Sequence, residues 1–187
     1  MVEWSIAAMR AAECVRSIVV ACPPGHVHDL EGQDLAVVDG GATRAQSVAS
    51  ALAAVGTELV AIHDAARPLL TPELVEGVVE TLTADPEADG AIAATPVSDT
   101  IKRIRGEIIE ETVDRDRLWA AQTPQVFRAE ALRSALGANI EATDEAMLIE
   151  AAGGRMLIHA ESPQNFKVTT PTDLRLAELL LAERSAQ

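Results

Sequence analysis

Short apolar runs bounded by turn residues alternate with stretches of helical spacing along this chain. Residues 3–12 carry Trp4, Ile6 and Met9 at spacings that, with Val15, place them on one helical face. Ser17-Ile18-Val19-Val20-Ala21-Cys22 is a continuous apolar run stopped by Pro23-Pro24-Gly25, which reads as a buried strand and its end. Leu35-Ala36-Val37-Val38 and Leu59-Val60-Ala61-Ile62 read the same way, with a helix over 45–55 between them. Thr71-Pro72-Glu73 starts a helix that runs to about Ala84: a capping threonine, a proline at the first helical position and an acid in the first turn. Strands follow at 90–94 and 156–159, and helices at 129–136, 144–152 and 171–183. Residues 100–104 and 108–110 pair around Arg105-Gly106-Glu107 as a charged hairpin, exposed or intermolecular. Strands alternating with helices of this length predict one α/β domain over residues 1–187, a three-layer α/β/α sheet with right-handed crossovers and a projecting β-arm. In such sheets ligands bind beyond the carboxyl ends of the strands, so the loops after Val38, Ile62 and Ala94 are the first places to look for chemistry.

Composition narrows the function. The chain has 187 residues, of which 48% are hydrophobic but only 2% aromatic, so its core is aliphatic and recognition of nucleic acid by base stacking is disfavoured. A net charge of −14 repels polyanions, which argues against DNA, RNA and acidic membrane surfaces; any phosphate site must be locally basic. The only two lysines are Lys102 and Lys167. Cys14 and Cys22 form no CxxC motif and read as reduced thiols, and no apolar run is long enough to span a bilayer, so a cytoplasmic protein is the expectation.

Several segments carry candidate chemistry, most with a plainer alternative. Gly40-Gly41-Ala42-Thr43-Arg44-Ala45-Gln46-Ser47 joins a strand to a helix, where glycines allow close backbone approach to a base or phosphate; such a turn can also be purely structural. His63-Asp64-Ala65-Ala66-Arg67-Pro68 sets a carboxylate, an imidazole and a guanidinium directly after a buried strand. There Asp64 can hold a ribose hydroxyl or Mg²⁺ and Arg67 a phosphate, or the two can merely shape the loop. Thr100, Lys102 and Arg103 on the hairpin, with Asp114-Arg115-Asp116-Arg117 after it, suit a small phosphorylated polyol or are a solvated ribbon. Thr143-Asp144-Glu145 contributes ligands or simply caps the next helix, and Lys167 stands in a strand-like segment before a capped helix. His26-Val27-His28-Asp29 is a weak candidate for zinc.

Taken in order, Val38-Asp39-Gly40-Gly41 with Arg44 and Ser47, His63-Asp64-Ala65-Ala66-Arg67-Pro68, Pro96-Val97-Ser98-Asp99-Thr100-Ile101-Lys102, Gln122-Thr123-Pro124-Gln125, Thr143-Asp144-Glu145 and Asn165-Phe166-Lys167-Val168-Thr169 resemble the methylerythritol phosphate cytidylyltransferases over essentially the whole chain. The resemblance implies a Rossmann-like nucleotidyltransferase sheet and transfer of a cytidylyl group from CTP to 2-C-methyl-D-erythritol 4-phosphate, with pyrophosphate leaving and Mg²⁺ or another divalent cation offsetting charge. It further implies that Gly41, Ser47 and Ala65 line the cytidine pocket, that Asp64 lies near the ribose and the metal, and that Arg115 and Lys167 hold the polyol phosphate for attack. Thr100, Thr123 and Thr143 match positions around that second substrate, Arg67 belongs to the same signature, and residues 100–112 match an arm that makes a homodimer.

Family members also open with a Gly-rich loop ending in a Pro-Lys pair that wraps the triphosphate. Met1-Val2-Glu3-Trp4-Ser5 already matches the helix after it, so the chain as written is expected to show little or no turnover. Three rival readings remain at this level: a ribitol 5-phosphate cytidylyltransferase, a non-catalytic dimeric binding module of the same fold, and a dinucleotide-binding enzyme. The last lacks a GxGxxG after any strand.

Overall fold

The computed structural model describes residues 1–26, 35–136 and 142–185. Among them the elements run α1 (Val2–Ala11), β1 (Val19–Cys22), β2 (Ala36–Asp39), α2 (Arg44–Ala53), β3 (Leu59–Ile62), α3 (Pro72–Thr83), β4 (Gly90–Pro96), β5 (Ile101–Arg105), β6 (Ile108–Val113), β7 (Trp119–Arg128), α4 (Ala129–Leu136), α5 (Glu145–Ala151), β8 (Met156–Ala160) and α6 (Pro171–Ser185). The four-stranded sheet has the order β3-β7-β4-β8, β1 and β2 pair parallel beside it, and β5 and β6 form the separate arm. β7 runs antiparallel to both β3 and β4, whereas β4 and β8 are parallel, so the sheet is mixed.

Helices cover both faces because neighbouring strand residues point to opposite sides. On β7, Val126 packs with Leu74, Val75, Val78 and Leu82 of α3, while the adjacent Phe127 packs with Leu132 of α4 and Ile149 of α5. Thr71 caps α3 through its side chain, which accepts from the Leu74 amide at 3.2 Å. Replacing Thr71 with alanine is expected to cost about 1 kcal/mol in urea unfolding, since the amide loses its acceptor.

Three sequence readings are corrected. β7 has no counterpart among the strands read from sequence: its centre, Gln122-Thr123-Pro124-Gln125, is polar and interrupted by proline, yet these residues are buried in the middle of the sheet. Among the described residues β1–β2 makes no ladder with β3. Lys167 is not in a strand; residues 166–169 are an irregular strap tied by the Val168 amide to the Ala66 carbonyl at 2.8 Å. Trp4 is 46% exposed, while Ile6 on the same helix is buried against Cys22 and its neighbours. The hairpin is as charged and exposed as expected, with Ile104, Ile108 and Ile109 all outward. His28 and Asp29 of the zinc candidate lie outside the described residues.

Candidate active site

A cleft of about 460 Å³ runs between β1 and β3, with Ile6, Val20 and Val60 among its apolar lining, and reaches Arg44, Ser47, Asp64 and Ala65. After β2 the chain turns at Gly40 and Gly41. A Cβ on Gly41 would lie 2.1 Å from Cβ of Gln46, so only glycine allows the helix to start this close. Ser47 donates to the Thr43 carbonyl at 3.0 Å and accepts from the Gly41 amide at 3.1 Å. A capping box between Thr43 and Gln46 then fixes the first turn of α2, which begins at Arg44.

Arg44 reaches two acids from separate parts of the chain. Its Nη1 donates to both carboxylate oxygens of Glu145, at 2.6 and 2.7 Å, and its Nε donates to Oδ1 of Asp64 at 3.3 Å. Lys167 donates from Nζ to the other oxygen of Asp64 at 2.9 Å. Asp64 therefore sits between two cations. Burial alone would raise its carboxyl pKa, but the Lys167 hydrogen bond and the charges of Arg44 and Lys167 hold it below the usual carboxylate range. Burial likewise works against the Arg44 charge, and the Glu145 hydrogen bond and charge overcome it, so its pKa is raised.

His63 anchors the loop that carries Asp64. Its Nε2 lies 3.1 Å from the Arg67 carbonyl and its Nδ1 lies 2.9 Å from the Thr123 hydroxyl. The carbonyl can only accept, so Nε2 carries the proton; Nδ1 then accepts from the Thr123 hydroxyl, which in turn accepts from the Asp64 amide at 3.1 Å. One neutral imidazole satisfies this chain of donors, and burial depresses the His63 pKa to about 4. Arg67 turns inward, donating to the Asn165 carbonyl at 2.7 Å, and Asn165 in turn donates to the Thr123 carbonyl at 2.8 Å. Burial lowers the Arg67 pKa, with the nearby Asp64 charge opposing it. Arg67 thus ties the loop after β3 to the strap that carries Lys167.

Ser47, Asp64 and Ala65 line the cleft, with Ala65 exposed at the turn, while Gly41 is bonded to Ser47 and Arg67, Thr123 and Lys167 are bonded to Asp64. Asp144 rather than Thr143 caps α5, accepting from the Met147 amide at 3.0 Å, and Thr143 is exposed beside that end. Thr100 and Arg115 are exposed at the base of the arm. Arg115 donates to the Ser98 carbonyl and makes no bond to Asp64 or Lys167 within the chain. Glu145 and His63 stand within candidate segments of the sequence, but nothing local gives either its own role. Glu145 looked like an ordinary first-turn acid, and only its 1% exposure shows that it needs a partner.

Among the described residues no cluster of three or more histidine, cysteine, aspartate or glutamate side chains gathers around one point. A cation that takes one carboxylate oxygen from the protein and the rest from substrate phosphates, as Mg²⁺ does, would have to share Asp64, whose two oxygens accept from Arg44 and Lys167. Among the described residues no helix is long and apolar enough to cross a membrane.

A profile of the 2-C-methyl-D-erythritol 4-phosphate cytidylyltransferase family matches residues 1–183. The enzyme of that name from Symbiobacterium thermophilum is 45% identical over 158 residues, covering 81% of this chain and 66% of the relative. That from Bordetella petrii is 42% identical over 192 residues, covering 95% of this chain and 84% of the relative. The crystal structure of the Thermus thermophilus enzyme superposes with a TM-score of 0.84 at 37% identity, covering 96% of this chain and 88% of that one.

Proposed function

The chain belongs to the 2-C-methyl-D-erythritol 4-phosphate cytidylyltransferase family, a family of nucleotidyltransferases of isoprenoid biosynthesis, and on that premise we propose that its cleft joins CTP to 2-C-methyl-D-erythritol 4-phosphate. In that reaction a phosphate oxygen of the acceptor attacks the α-phosphorus of CTP, pyrophosphate leaves, and a diphosphate bridge links cytidine to the polyol. The chemistry demands two phosphates held in line and their charge offset, and the observation that carries the reading is a carboxylate, Asp64, flanked by two cations at the carboxyl end of β3.

In this reading Gly41, Ser47 and Ala65 border the nucleoside and Asp64 faces its ribose. Lys167, 45% exposed, holds the acceptor phosphate as a charge-assisted donor. Arg67 and Thr123 fix the loop and strap that present these groups. Asp64, together with the nucleotide phosphates, would hold Mg²⁺, which when bound offsets charge on the triphosphate. The outward isoleucines of the arm, Ile104, Ile108 and Ile109, suit burial against a second copy, bringing Thr100 and Arg115 toward the partner's cleft, with Thr143 facing the acceptor. A cytoplasmic homodimer is the form this reading expects.

The relatives bear the methylerythritol name, so the ribitol reading is not favoured. Isothermal titration with the two acceptors decides between them: methylerythritol 4-phosphate is expected to bind roughly tenfold or more tightly than ribitol 5-phosphate. Equal or reversed affinities would sink the assignment of the acceptor.

A further inference from the structure

The two cations on Asp64 are held in different ways. Arg44 begins a capped helix, and its guanidinium is clamped by a carboxylate, Glu145, that is 1% exposed. Lys167 lies on the strap, whose neighbouring side chains Phe166 and Val168 pack into the apolar cluster around Leu69. The strap is also fixed at its far end, where Asp173 accepts from the Thr169 and Thr170 amides at 3.0 and 2.8 Å. The Lys167 backbone is therefore set, but among the described residues its ammonium bonds only to Asp64, and it is nearly half exposed.

We propose that Arg44, clamped by Glu145, is a positioning residue that stays on Asp64, so that Lys167 is free to leave that carboxylate for the phosphate of the acceptor. A carboxylate left without a cation from the protein in a partly desolvated cleft would pull the lysine back. With Arg44 retained, Asp64 remains compensated while Lys167 changes partner. Arg44 also moderates the hold of Asp64 on Lys167, because two cations share one negative charge. The inference rests on the reading that Lys167 receives the acceptor phosphate; the competition between Arg44 and Lys167 for Asp64 does not depend on that reading.

The test uses Lys167 labelling by an amine-acylating reagent, resolved from Lys102 by peptide mass spectrometry, since these are the only lysines. Replacing both clamp members together, Arg44→Met with Glu145→Met, removes the fixed cation without stranding the buried acid. In ligand-free protein Lys167 is then expected to acylate about three- to tenfold more slowly than in the wild type, because both oxygens of Asp64 are left to hold its ammonium, with Lys102 unchanged. Methylerythritol 4-phosphate is expected to bind about tenfold more weakly to that variant. Arg44→Gln with Glu145→Gln, which keeps an amide pair but no cation, is expected to behave alike and serves if the methionine pair does not fold. Unchanged or faster Lys167 labelling in a folded variant, or unchanged acceptor affinity, overturns the proposal. If wild-type Lys167 is not protected by methylerythritol 4-phosphate, the acceptor assignment falls, and the ligand-free rates still decide whether Arg44 governs Lys167.

Discussion

Arg44→Ala is expected to destabilise the chain by about 3 kcal/mol in urea or thermal unfolding, a large fraction of what holds a domain together. The cause is Glu145. Its carboxylate is 1% exposed and both its oxygens accept from one arginine nitrogen, so truncating Arg44 leaves a charge buried without its counter-ion. Because Arg44 itself is 37% exposed, water reaches one side of the pair, which places the loss at the low end for breaking a buried ion pair. Arg44→Met with Glu145→Met is expected to recover most of the stability, since the buried charge goes with its partner. A single substitution as mild as a surface change, within about 0.5 kcal/mol, would show that the pair is not what anchors α5 to α2.

The second large effect is with pH. His63 has its pKa depressed from 6.5 to about 4. In that window the unfolded chain binds a proton that the folded chain does not, so stability rises with pH. The contribution is complete above 6.5 and is lost as pH falls toward 4, amounting to roughly 3 kcal/mol over the whole interval. Burial is the leading cause; the adjacent Asp64 charge opposes the depression and the Arg67 charge adds to it. Asp64 titrates in a separate, more acidic window: its folded pKa lies below 3.8, so what it contributes is present above that value and lost beneath it. Denaturation midpoints measured between pH 7 and pH 4 are expected to fall for the wild type and to fall much less for His63→Asn. Parallel slopes for the two proteins would assign the acid sensitivity elsewhere.

Much of the fold is legible in local chemistry. β3 coincides with the apolar run Leu59–Ile62, and the Thr71 cap with Pro72 marks the start of α3 to the residue. β7 escaped because strand signals are apolar and Gln122, Thr123, Pro124 and Gln125 are not. These side chains are buried for what they bond, as when Gln125 donates to the Asp144 carboxylate at 2.9 Å. The site divides likewise. Asp64 and Lys167 stood out as charged residues in otherwise apolar surroundings, whereas no local pattern brings Glu145 to Arg44 across 101 residues of chain. Such pairings are tertiary facts, visible only when the helix that Asp144 caps is laid against the start of α2.

The most direct measurement is calorimetric titration with 4-diphosphocytidyl-2-C-methyl-D-erythritol, the diphosphate-bridged compound that the proposed reaction forms, which spans both halves of the cleft at once. The wild type is expected to bind it at a single saturable site, and Asp64→Asn and Lys167→Met each to weaken it by roughly ten- to a hundredfold, as loss of a hydrogen bond to a charged group implies. Absence of binding by the folded wild type, or affinities unaltered by both substitutions, would contradict the assignment of the Asp64–Lys167 cleft as the place where cytidine and the polyol phosphate meet.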